Sequence, residues 1–207
     1  MQHSSLSLKK YRLPLLLAAL SFGLSSAPAW ADDASMNIKL TANIIANTCK
    51  IGLSNGGQVL LPVVPRDWFS NADGSDKYTA TKEAGGTKFA IKVIDCEDYD
   101  KGAASKLHFS FRPQSGVLAQ GNNQVFANDL EQSSTGAKNV GIVVFSADLH
   151  QNVLQQNGSS DVVYDVTSKQ QNYAYLTQYE FTARYQNTGS VTAGRVTSHV
   201  LVSVTYE

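Results

Sequence analysis

Apolar residues recur at every second position along most of this chain, and that period leaves few architectures open. Met36, Ile38, Leu40, Ala42 and Ile44 alternate with Asn37, Lys39, Thr41 and Asn43. Such spacing puts one set of side chains on one face of a strand. Phe89, Ile91 and Val93 alternate in the same way, as do Leu107, Phe109 and Phe111. Further β-rich runs follow at 139–146 and from Tyr179 through Tyr185. The last, His199 to Tyr206, sets Val200, Val202, Val204 and Tyr206 on one face. Between the runs lie Ser54-Asn55-Gly56-Gly57, Asn71-Ala72-Asp73-Gly74, Gly85-Gly86, Gln120-Gly121-Asn122-Asn123, Asn157-Gly158-Ser159-Ser160 and Asn187-Thr188-Gly189. Glycine, asparagine and aspartate supply positive φ and side-chain-closed turns. Short strands with this punctuation, and no sustained helical period, predict an all-β sandwich forming one domain.

The first 31 residues read differently. Lys9, Lys10 and Arg12 precede an apolar run from Leu13 to Leu24, and Ala29-Trp30-Ala31 fits the small-x-small rule for a cleaved secretory leader. Twelve apolar residues are too few to cross about 30 Å of hydrocarbon as a helix. Cleavage after Ala31 removes three basic residues and no acidic one, leaving a net charge of −3 from Asp32 onward. Only 16% of the whole chain is charged, with no basic cluster beyond the leader. That composition excludes a charged disordered protein and argues against nucleic-acid binding.

Export bears on the cysteines. Cys49 and Cys96 are an isolated pair, 47 positions apart. In an oxidising compartment they are most simply a disulfide, since Cys-x-x-Cys and a four-ligand zinc set are both missing. Catalytic signals are poor. His108, His150 and His199 have no metal-binding spacing, and His108 and His199 fall out of phase with the apolar positions of their strands. Asp95, Glu97, Asp98 and Asp100 surround Cys96 without matching a calcium loop, and read as a solvated strand end. Trp68, Phe69 and Tyr78 offer rings either for stacking on a sugar or for capping the sandwich, and capping is the expected use.

The two chain ends are the informative parts. One alternating strand opens the mature chain and another closes it. A strand at the end of the chain leaves an unpaired edge unless neighbours flank it on both sides. Strand addition from another chain is one way to cover such an edge.

Several short segments then become specific. Ile38-Lys39-Leu40-Thr41-Ala42-Asn43-Ile44-Ile45 leads toward Cys49, and Phe89-Ala90-Ile91-Lys92-Val93-Ile94-Asp95 leads into Cys96. Ala137-Lys138-Asn139-Val140-Gly141-Ile142 and Ala183-Arg184-Tyr185 follow in order. Gly194 stands 14th from the C-terminus and Tyr206 is penultimate. With the leader and the cysteine pair, this order resembles the pilin subunits of chaperone–usher fimbriae of the type 1 kind, over Ile38 to Glu207.

The resemblance implies an incomplete immunoglobulin-like β-sandwich that lacks its last strand, with an N-terminal donor strand. It divides the chain into a signal peptide at 1–31, a donor segment at 32–45 and a pilin domain at 46–207. In that family a periplasmic chaperone lends a strand to the groove beside the C-terminal strand. At the outer-membrane usher, the N-terminal extension of a neighbouring subunit replaces it. Carried over by position, the donor face is Ile38, Leu40, Ala42 and Ile44. The acceptor and chaperone-recognition residues are Gly194, Val200, Val202, Val204, Tyr206 and Glu207, with the terminal carboxylate of Glu207 meeting basic residues of the chaperone. The implied product is a structural, adhesion-supporting subunit of a surface fimbrium, without enzymatic activity, cofactor, metal or membrane segment after cleavage. The alternative is an adhesive or adaptor subunit near the tip that binds a host glycan or protein. Two departures stand out: Ala42 replaces the family's usual glycine, and only Asp32 to Asn37 precede the matched strand. In an isolated chain, the arm has two options, to hang free or to fold back.

Overall fold

The alternation is realised as ten strands in a computed structural model that describes residues 36–42, 48–96 and 104–207. The expected leader, Ile44 of the donor face, and Glu97, Asp98 and Asp100 lie outside the described residues. The strands are β1 (Met36–Ala42), β2 (Cys49–Leu53), β3 (Gln58–Leu61), β4 (Thr87–Cys96), β5 (Lys106–Pro113), β6 (Val140–Ser146), β7 (Gln151–Asn152), β8 (Val162–Asp165), β9 (Gln178–Asn187) and β10 (Ser198–Tyr206). One sheet has the order β3-β1-β10-β5-β8 and the other β2-β4-β9-β6-β7. Every pairing is antiparallel except β1 with β10, which is parallel. Among the described residues the only helical pieces are short 3-10 turns. The architecture is an immunoglobulin-like sandwich of two sheets that do not close into a barrel.

The strands predicted from alternation form where expected. On β5, Leu107, Phe109 and Phe111 are buried while their neighbours are partly or fully exposed. Their rings meet the facing sheet: Phe109 lies 4.9 Å from Tyr179 and 5.7 Å from Phe181, and Phe111 lies 5.2 Å from Phe181. Tilted and edge-on rings at these separations suit the aromatic quadrupole. Val200, Val202 and Val204 of β10 complete the same layer. The strands that alternation did not reveal are short: β2, β3, β7 and β8 have five, four, two and four residues. The Ser54–Gly57 turn, with Asn55 and Gly56 at φ of 51° and 63°, carries the chain from β2 in one sheet to β3 in the other.

Alternation breaks down at β6 and β9, because a second layer covers the outer face there. All seven residues of β6 are buried. Gly141 is required at its position, since a Cβ there would lie 2.2 Å from the Phe126 carbonyl oxygen. On β9, the fully buried Arg184 is roofed by the segment around Asp76–Glu83. Its Nη1 donates to the Tyr185 carbonyl and to Gln186 Oε1, and its Nη2 to the carbonyls of Thr79 and Lys82. The guanidinium also lies over the rings of Tyr78 and Phe145. Burial pulls its pKa down to about 10, which still leaves it charged at neutral pH.

Cys49 and Cys96 are directly opposed on β2 and β4 and form a disulfide, as expected. The bond closes a loop with a separation of 47 residues. Loop-closure entropy for that length corresponds to about 4 kcal/mol. The Cys49→Ser/Cys96→Ser double variant is therefore expected to unfold at a clearly lower urea midpoint than the oxidised protein. The oxidised protein treated with a reductant should shift by the same amount. A midpoint unmoved by either treatment would mean that the core alone sets the stability.

Candidate functional site: the groove along the C-terminal strand

β10 carries nine residues, Ser-His-Val-Leu-Val-Ser-Val-Thr-Tyr, whose even-numbered members through Val204 are buried. Valine suits a pleated, half-buried surface, and its stiff side chain loses little on ordering. On one flank, β10 pairs with β5 from Val200↔Pro113 to Tyr206↔Leu107. On the other flank the edge is occupied by the chain's own β1. Its register is Ile38↔Ser198, Leu40↔Val200 and Ala42↔Val202. Ile38, Leu40 and Ala42 therefore stand level with inward-facing residues of β10. β1 in turn pairs antiparallel with β3, from Met36↔Leu61 to Lys39↔Gln58.

The parallel direction has a simple origin. After Ala42, level with Val202, the chain must reach Thr48, which bridges Thr205. Five residues separate Ala42 from Thr48, and Thr205 lies further along β10 than Val202, so the chain keeps advancing in the sense of β10 from β1 to Thr48. Parallel pairs are slightly less stable per residue than antiparallel ones.

The remaining predicted site residues sit at the two ends of β10. Gly194 precedes the strand with φ of 155°. A Cβ there would lie 2.3 Å from the Ala137 nitrogen and 2.5 Å from the Gly136 carbonyl carbon, so glycine is needed for close backbone approach. Gly194 also borders an apolar cavity of about 290 Å³ that includes Phe69, Val140, Tyr185 and Val196. At the far end, Tyr206 is half-buried against the core. The main-chain oxygen of Glu207 accepts from the Ser105 and Lys106 amides and from Ser105 Oγ. The Glu207 carboxylate is ion-paired with Lys106, and His108 Nε2 lies 3.7 Å away. Within this chain, then, the Glu207 side chain has a basic neighbour, while its main-chain oxygen is held by Ser105 and the Lys106 amide.

The other candidates are scattered. Each histidine among the described residues has its own carboxylate: His108 with Asp161, His150 with Glu83, and His199 with Asp129. These pairs lie on different elements and make no shared centre. Trp68 and Tyr78 pack face to face, tilted, at 4.6 Å, and Trp68 meets Phe69 and Tyr185 edge-on. The rings cap the sandwich by covering one another. Sequence reading missed two polar hubs, the roofed Arg184 and the buried Asn128 near the start of β10. Neither stands in a pattern that marks it as buried.

The fimbrial protein family model matches residues 38–207 of this chain. The chain is also similar to the uncharacterized fimbrial-like protein YadK of Escherichia coli (strain K12). The two are 40% identical over 181 residues, covering 84% of this chain and 86% of that protein.

Two outcomes follow from the strand ends. Gly194→Ala forces a Cβ into backbone and is expected to cost about 1–3 kcal/mol in urea unfolding. At the other end, hydrogen bonding and charge from Lys106 hold the Glu207 carboxyl below its ordinary value of 4.5. A carboxyl depressed in the folded state stabilises above its unfolded pKa, and that stabilisation is lost as pH falls through the folded value. Lys106→Gln should return the Glu207 titration, followed by carboxyl-carbon NMR, toward 4.5. An unchanged titration would assign the depression to other groups.

Proposed function

Because the chain belongs to the fimbrial protein family, we propose that it is a structural subunit of a chaperone–usher fimbria that polymerises by donor-strand exchange. β1 is the donor and the flank of β10 that it now covers is the acceptor. The observation that supports this reading is the register of β1 on β10, which sets Ile38, Leu40 and Ala42 level with the inward-facing side of the last strand. A segment able to complete the groove of its own chain has the sequence to complete the same groove in a neighbour.

Energetics favour such an exchange without a new kind of contact. Burying Ile38, Leu40 and Ile44 in a neighbour's groove yields roughly 5–9 kcal/mol before ordering costs. The same donor residues serve either groove, so this term does not choose between the closed monomer and the polymer. Direction does differ between them. A donor from another chain is not tied to Thr48 and is free to enter antiparallel, with the better ladder geometry. In the cell, a periplasmic chaperone holds the groove until the outer-membrane usher presents the next donor, and the polymer emerges as a surface appendage.

Ala42 is the position to test. Ala42→Asp places an unpaired charge in the donor segment, and an uncompensated buried charge is strongly destabilising. The variant is expected to form no homopolymer by size-exclusion chromatography and electron microscopy, while its intact groove still caps wild-type chains. Removing 198–207 should abolish co-purification with the periplasmic chaperone of a chaperone–usher system. Normal polymers from Ala42→Asp, or a stable soluble monomer indifferent to the truncation, would refute the assignment.

A further inference from the structure

The start of β10 lies between two flanks of different character. β1 is one, with Ile38 and Lys39 level with Ser198 and His199. The other is the segment that contains Asn128 and Asp129. Asn128 is buried, and its side-chain amide uses its full hydrogen-bonding capacity on backbone groups. Nδ2 donates to the Ala137 carbonyl at 2.7 Å and to the Arg195 carbonyl at 2.9 Å. Oδ1 accepts from the Leu130 amide at 3.1 Å and from the Thr197 amide at 2.9 Å. Asp129 continues the clasp: its amide donates to the Thr197 carbonyl, and its Oδ2 accepts from the His199 amide and from His199 Nδ1. The Gln114 amide donates to the His199 carbonyl. The amide and carbonyl of both Thr197 and His199 are thus satisfied on the side away from β1.

We infer that Asn128 is the positioning residue of the groove: it holds the first residues of β10 extended and in register while β1 is withdrawn, and so sets how fast an incoming donor strand is taken up. The inference rests on the donor-strand reading above. A strand stripped of one neighbour keeps its shape only if the other flank is fixed. Asn128 fixes it by joining three backbone segments, around Leu130, Ala137 and Arg195–Thr197, through one side chain. The segment is itself anchored to the opposite sheet, where Phe126 and Ile142 exchange amide-to-carbonyl bonds in both directions.

The test uses the intact chain from Asp32 and a fluorescent synthetic peptide with the sequence of residues 36–46, added in excess and followed by anisotropy. Asn128→Ala is compared with Val143→Ala, a fully buried site on β6 in the other sheet. Asp129→Ala serves as a second, milder variant should Asn128→Ala fail to fold. Each protein is studied in urea at the same distance below its own unfolding midpoint, so that general destabilisation drops out. Peptide uptake is expected to slow at least tenfold in Asn128→Ala and severalfold in Asp129→Ala, with Val143→Ala unchanged from wild type. Hydrogen exchange should show the Thr197 and His199 amides losing protection in the two clasp variants alone. If wild type takes up peptide and the clasp variants match Val143→Ala, the positioning role is overturned while the donor-strand reading stands. If wild type takes up none, both fall.

Discussion

The last strand must be covered on both edges, and the rest of the molecule is arranged around that need. β10 supplies Val200, Val202 and Val204 to the centre of the core, facing the aromatic layer built by β5 and β9. A strand whose side chains fill the core leaves a costly row of unpaired amides and carbonyls if one edge faces nothing. β5 satisfies one edge and β1 the other, and β1 comes from the opposite end of the sequence. The contact that completes the sandwich is therefore also the one with the longest reach along the chain. It runs parallel to the strand it covers, level with it from Ile38↔Ser198 to Ala42↔Val202.

Much of this frame was legible in the sequence, and the reason is the two-residue period. Wherever one face of a strand is buried and the other wet, as on β5 and β10, alternation states the answer directly. Where a strand is buried on both sides it gave the strand but not the burial of its second face. β6 shows no phase at all, and β9 hides Arg184 under a roof of backbone carbonyls. The very short strands were lost for want of length, since two to five residues cannot display a period. The cysteine pair was readable because an isolated pair, with neither Cys-x-x-Cys nor a zinc set, has few other uses. His108 and His199 were readable as strand residues, but not their carboxylate partners, which come from elements distant in sequence.

Buried polar side chains do in this fold what periodicity cannot announce. Arg184 and Asn128 both bond chiefly to backbone carbonyls and amides of irregular segments, giving loops without a ladder the partners that strands find in one another. Such groups are costly if left unpaired and specific if satisfied, so they fix which of many loop paths is taken. Arg184 seals the outer face of one sheet. Asn128 and Asp129 secure the entry to the last strand of the other.

The five-residue return from Ala42 to Thr48 has a kinetic meaning as well. A strand tethered so closely to its own site acts as if present at millimolar effective concentration. At concentrations well below that value a free donor segment from another molecule competes poorly with the tether, and only a large excess of it takes the site. Intermolecular pairing then needs a setting in which the tethered strand is already displaced, or in which a second donor is held at comparable local density. The shortness of one connection thus makes encounter geometry, rather than affinity, the variable that decides between a closed monomer and a chain.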